Sequence, residues 1–113
     1  METENRKITI PLQNGFEVFN VIDVLYCKAD DNYTLICFKS ERKVLVSKTL
    51  KYVEDTLGTM HFARVHKSYL VNVNEIEKYL SRGKLGSIIL SNGKEIAVSS
   101  SKKAYLFSYF KKL

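Results

Sequence analysis

Apolar and polar residues alternate in short runs along much of this chain. Ile8, Ile10 and Leu12 alternate with Lys7 and Thr9, the period of a half-buried strand. Asn14-Gly15 then predicts a tight turn into Phe16-Glu17-Val18. Residues 24–29 and 33–38 are rich in β-branched and aromatic side chains and flank Asp30-Asp31-Asn32, so they predict a second hairpin. Lys43-Val44-Leu45-Val46 reads as a further strand. Strand-like runs recur at 61–65, 69–73, 76–80, 86–90 and 94–98, with Asn92-Gly93 turning the last pair.

Two stretches have a helical period instead. Leu50, Val53 and Leu57 fall on one face of a helix of about two turns, with Ser47 or Thr49 as its cap and Gly58 as its stop. At the end, Leu106, Tyr109, Phe110 and Leu113 recur at three- and four-residue steps behind Ser99-Ser100-Ser101, which predicts a C-terminal helix with serine caps. The pattern totals nine or ten short strands and two short helices. That is a mainly-β domain of antiparallel meanders, not an α/β enzyme on a parallel sheet.

The 113 residues hold one proline and no repeat, so one domain is expected over 6–113, behind a flexible start or linker remnant at 1–5. No apolar run approaches the roughly 18 residues of a membrane span. The polar, acidic start lacks the features of a signal peptide, and a cytoplasmic location is expected. Cys27 and Cys37 sit ten positions apart among apolar neighbours, which predicts reduced core residues and no metal site.

The net charge of +6 is unevenly placed. Residues 1–60 carry eight basic and nine acidic side chains, whereas residues 61–103 carry eight basic and three acidic. A basic half on a neutral scaffold suits a polyanion, because each neutralised phosphate releases counterions. Catalysis is not expected. No phosphate loop or nucleophile elbow occurs, and the Asp30-Asp31 carboxylates read as a turn. His61 and His66 fall on opposite faces of a strand-like stretch, and His66 with Ser68 has no third orienting group or oxyanion donor in sequence. No cofactor is expected either.

The segment from Phe62 to Asn72 brackets a polar knot, Arg64, His66, Lys67 and Ser68, with core-like residues. An arginine can fork onto a phosphate, a lysine can reach a guanine O6 or N7 or a phosphate, and a serine can donate to a phosphate oxygen. The competing reading is a charged edge that blocks strand pairing. The order Arg-x-His-x-Ser-Tyr-x-Val-Asn, Arg64 to Asn72, resembles the signature of the LytTR family of DNA-binding domains, output domains of bacterial response regulators. The resemblance continues through Ile22 to Tyr26, Asp31 to Thr34, Asn74-Glu75-Ile76 and Leu90 to Ser99, and spans roughly residues 7–110.

The resemblance implies an elongated array of short antiparallel sheets with a short helix between the halves, and loops inserted into successive major grooves. Three regions match the contacting loops: Asp31-Asn32-Tyr33, Arg64 to Ser68, and Ser99-Ser100-Ser101-Lys102-Lys103. Asn32 and Tyr33 either touch base edges or make the turn and start a strand, and His66 either orients its loop, donating to a backbone carbonyl, or touches DNA. Many members carry an arginine where this chain has Ser100, so weaker base discrimination is expected there. Double-stranded DNA bearing paired direct repeats is the implied partner, occupied by a second copy of the chain. There is no room before Ile8 for a receiver domain, so the chain is expected to be either a stand-alone regulator or the excised end of a longer one that carries it. Two rivals remain: a single-strand binder stacking bases on Tyr26, Tyr33 or Phe38, and a sensory or protein-interaction domain with incidental charge.

Overall fold

A computed structural model describes residues 5–113. The expected loose start at residues 1–5 lies outside them, apart from exposed Asn5. Ten strands in three antiparallel sheets and two short α-helices occupy the described residues. β1 (Lys7–Leu12) pairs with β2 (Gly15–Asn20). β3 (Val24–Asp30), β4 (Tyr33–Phe38), β5 (Lys43–Val46), β6 (Phe62–His66) and β7 (Tyr69–Asn72) form a five-stranded sheet in the order β5-β4-β3-β7-β6. β8 (Ile76–Arg82), β9 (Leu85–Leu90) and β10 (Glu95–Val98) form the third sheet, with β9 central. The helices are α1 (Leu50–Leu57), between β5 and β6, and α2 (Lys103–Phe107). The molecule is elongated, 49 × 37 × 23 Å.

Both faces of the five-stranded sheet are covered, because its strands are apolar on both sides. One face buries Cys27, Ile36, Phe38, Phe62 and Leu70 under Leu50, Val53 and Leu57 of α1, together with Ile10 and Val21. The other face buries Leu25, Tyr26, Ala63, Val65 and Val71 against Ile88, Leu90, Ile96 and Val98 of the third sheet, with Leu106 of α2. A bulge between Val24 and Tyr26 shifts the alternation, so that Leu25 and Tyr26 serve the same core. Cys27 and Cys37 belong to opposite cores and remain free thiols. Burial pushes the Cys27 thiol well above its ordinary range, which suits an inert packing residue.

The helices settle the capping choices. Thr49, not Ser47, caps α1, its hydroxyl accepting from the Tyr52 amide at 3.2 Å, and Gly58 ends the helix at φ 78°. The C-terminal helix differs from expectation. A 3-10 turn at Ser100–Lys102 leads into five α-helical residues, and no serine side chain caps either segment. The helix stops at Phe107 because Tyr109 is held elsewhere: its hydroxyl lies 2.7 Å from the Thr59 carbonyl and 3.0 Å from that of Phe62. The first hairpin also turns one residue early, at Gln13-Asn14, with Gly15 already opposite Leu12.

Gly86 holds a close approach that alternation does not reveal. A Cβ there would lie 1.9 Å from the Tyr79 hydroxyl, and the Tyr79 ring meets Phe107 edge-on at 4.9 Å. Gly86→Ala is therefore expected to cost about 1–3 kcal/mol by overpacking. Urea unfolding measures it, and an unchanged midpoint would mean that Tyr79 swings aside freely.

Candidate nucleic-acid interface

The strand order determines which loops meet. β3 and β7 are antiparallel, with Lys28 opposite Tyr69, so the β3–β4 turn and the β6–β7 turn emerge at the same end of the sheet. The Ala29 amide donates to the Ser68 carbonyl at 2.9 Å and joins them. The Ser99 amide donates to the Val65 carbonyl at 2.9 Å, which brings the serine-rich loop beside β6 just before His66. The three regions singled out in the sequence therefore converge on one end, although 31–33 and 99–103 are far apart along the chain.

The β6–β7 loop is built around Arg64. A bulge between Arg64 and His66 in β6 accompanies the tight Lys67-Ser68 turn. The Arg64 guanidinium donates to the His66 carbonyl through Nε at 3.1 Å and to the Lys67 carbonyl through Nη2. Its Nη1 meets Glu54 Oε1 of α1 at 3.1 Å, and both side chains are only about one-fifth exposed, 20% and 19%. Three of the five N–H groups of the fork that the sequence offers to a phosphate are thus engaged by the chain's own acceptors. His66 also differs from the carbonyl donor considered above: its Nδ1 accepts from the Ser68 amide at 3.1 Å. An accepting Nδ1 puts the proton of the neutral ring on Nε2. Lys67 is exposed, and no interaction among the described residues holds its ammonium.

In the first loop, Asp31 adopts φ 56°, a left-handed conformation that short polar side chains tolerate. Asp31 and Asn32 are exposed, and Tyr33 is 48% exposed. In the third loop, Ser100 and Ser101 are exposed and Ser99 is half-buried. Lys102 Nζ lies 5.6 Å from the Tyr105 ring centroid, and Lys103 Nζ donates to the Lys84 carbonyl at 3.1 Å. Tyr69 is half-buried, while Val71 and Asn72 are buried, consistent with a role in the fold. Asn72 donates to the Val24 carbonyl and accepts from the Asn74 amide, each at 3.0 Å.

Two cations at this end escaped sequence reasoning. Lys48 follows β5, whose last residue Val46 pairs with Thr34, and the Thr34 hydroxyl donates to the Lys48 carbonyl at 2.8 Å. Lys84 lies at the tip of the β8–β9 hairpin. The signal for both is a basic residue just beyond a strand end, legible only once strand order is known. Together with Lys67, Lys102 and Lys103 they give this end a cationic character that the exposed carboxylates of Asp30 and Asp31 only partly offset. At the opposite end Arg42 pairs with Glu17 at 2.5 Å and Lys39 with Glu75 at 3.7 Å, while Lys43 is exposed. The bidentate Arg42 contact holds the Glu17 carboxyl below its ordinary range. Among the described residues no cluster of His, Cys, Asp or Glu could hold a metal, and no helix is long and apolar enough to cross a membrane.

The LytTr DNA-binding domain family model matches residues 14–111. The Sensory transduction protein LytT of Bacillus cereus is 27% identical over 100 residues, which cover 85% of this chain and 39% of the relative. The same protein of Bacillus anthracis matches with the same identity and coverage. The chain thus spans about two-fifths of the length of these curated relatives. A solved LytTr DNA-binding domain, from a methyl-accepting/DNA response regulator of Bacillus cereus, superimposes with a TM-score of 0.76 at 25% identity, covering 91% of this chain and 94% of that one. The chain belongs to the LytTr DNA-binding domain family.

Proposed function

We propose that this chain binds duplex DNA sequence-specifically in transcriptional control, with its three converging loops entering successive major grooves. The observation that carries the reading is their convergence on one cationic end of a LytTr fold. Paired direct repeats would then seat two copies side by side.

The loops have unequal tasks in this reading. Lys67 reads a guanine edge or grips a phosphate from a loop whose shape Arg64 sets. Asn32 and Tyr33 present an amide and a phenol to base edges, and Asp31 makes their turn, where its carboxylate can accept from a cytosine amino group. His66 Nε2 and the hydroxyls of Ser68, Ser99, Ser100 and Ser101 donate to phosphates, with Lys102 adding charge. Ser100 cannot form the bidentate contact to guanine, so discrimination is weakest under the third loop. The single-strand alternative loses two of its three platforms, since Tyr26 and Phe38 are 5% and 3% exposed and cannot stack on a base, and keeps only Tyr33, 48% exposed. A receiver domain joined to this one, as the length of the relatives suggests, would supply the regulatory input.

Lys67→Ala tests the central loop. It is expected to weaken binding by about 1–3 kcal/mol and to relax preference at one base pair if the lysine reads a base. A weakening uniform across sequences would assign it to a phosphate, and an unchanged affinity with an unchanged site preference would remove Lys67 from the interface.

A further inference from the structure

The tip of the β8–β9 hairpin, Arg82-Gly83-Lys84-Leu85, belongs to none of these three loops. β9 and β10 run antiparallel with Gly86 opposite Val98, so the tip extends past the strand end from which Ser99 departs. The hydrogen bond from Lys103 Nζ to the Lys84 carbonyl at 3.1 Å ties it to the last residue of the third loop. Gly83, at φ 67°, makes the turn, and every residue from Ser81 to Leu85 is exposed. The tip has no packing task that would explain it, since Leu85 is 74% exposed.

Its charges are available. No hydrogen bond, ion pair or ring contact of the described residues engages the Lys84 ammonium. Arg82 is 62% exposed and lies 3.4 Å from Glu95 Oε2, an oxygen that also accepts from the Ser87 hydroxyl at 2.6 Å. Glu95 therefore leaves most of the guanidinium open to solvent. Charge on an edge strand can serve to block pairing, and β8 is an edge. That explanation does not reach Lys84, which lies in the turn outside the ladder.

We infer that this tip is a fourth DNA-contacting element, in which Lys84, supported by Arg82, neutralises backbone phosphates flanking the groove that the third loop enters. The inference rests on the duplex-binding reading above. The target is the sugar–phosphate backbone rather than a base, because an unbraced lysine on a flexible stem acts as a point charge without bidentate geometry. Lys103 is then a positioning residue, holding the tip against the third loop. The element supplies grip where Ser100 supplies little reach.

The test is a salt titration of duplex affinity, on a site selected by the protein itself, for the wild type, Lys84→Ala, the Arg82→Ala/Lys84→Ala double variant and Lys43→Ala. Lys43 is exposed at the opposite end of the five-stranded sheet and serves as the control. Lys84→Ala should flatten the slope of log affinity against log salt by about one unit and the double variant by up to about two, with base preference unchanged. Lys43→Ala should leave the slope where it is. A Lys84→Ala variant as silent as Lys43→Ala, or equal losses in both, would overturn the tip while leaving duplex binding intact. A wild-type chain that binds no duplex overturns both.

Discussion

Arg64→Ala is expected to lower duplex affinity about 100-fold, close to 2.7 kcal/mol, without itself removing a DNA contact. Arg64 engages Glu54 and the carbonyls of His66 and Lys67 at once, so its loss frees the turn that presents Lys67. Misplacing that lysine removes a contact expected to be worth about 1–3 kcal/mol, and disorder in the loop adds an entropic cost to every other contact it makes. The fold should weaken by about 1–3 kcal/mol, less than for a fully buried pair because water still reaches both side chains. Arg64→Lys should not rescue binding, since an ammonium cannot span three acceptors in the guanidinium plane. Glu54→Ala separates this role from a direct phosphate contact by the sign of its effect. If Arg64 braces the loop, Glu54→Ala weakens binding by about tenfold, or 1.4 kcal/mol. If Arg64 reaches a phosphate, removing the competing carboxylate strengthens binding. Equilibrium titration of the two variants decides it.

Asn72→Ala is expected to destabilise the fold by about 2–4 kcal/mol and to leave site preference unchanged at temperatures where the variant remains folded. Asn72 closes the same motif as Arg64, yet it is 2% exposed and bridges the Val24 carbonyl to the Asn74 amide. Truncation strands the buried Val24 carbonyl, at about 1–3 kcal/mol, and takes the acceptor from the part-buried Asn74 amide. Urea unfolding measures the loss. A wild-type midpoint combined with an altered binding site would transfer Asn72 from the fold to the interface.

These two residues show what the sequence makes legible and where it stops. The strands could be read because each is a local alternation bounded by Gly, Asn or Asp turns, and α1 because Leu50, Val53 and Leu57 share one face. The three loops were recognisable through an ordered motif. Their convergence was not, because the order β5-β4-β3-β7-β6 depends on non-local pairing; Lys48 joins the cationic end through that order, and Lys84 through the pairing of β9 with β10. The partner of Arg64 was hidden for the same reason: Glu54 lies on a helix whose docking no local pattern predicts. The C-terminal helix misled because Tyr109 and Phe110 have helical spacing, whereas the Tyr109 hydroxyl is drawn to the carbonyls of Thr59 and Phe62. Period describes a face. It does not say what that face will meet.

The most direct test of the central claim is selection of binding sites by this chain from a pool of random duplexes at fixed salt, with single strands of the same composition as competitor. The account predicts enrichment of a defined duplex motif as paired direct repeats, with its weakest positions under the third loop. Recovery of no motif, or displacement of the duplex by single strands, would contradict it.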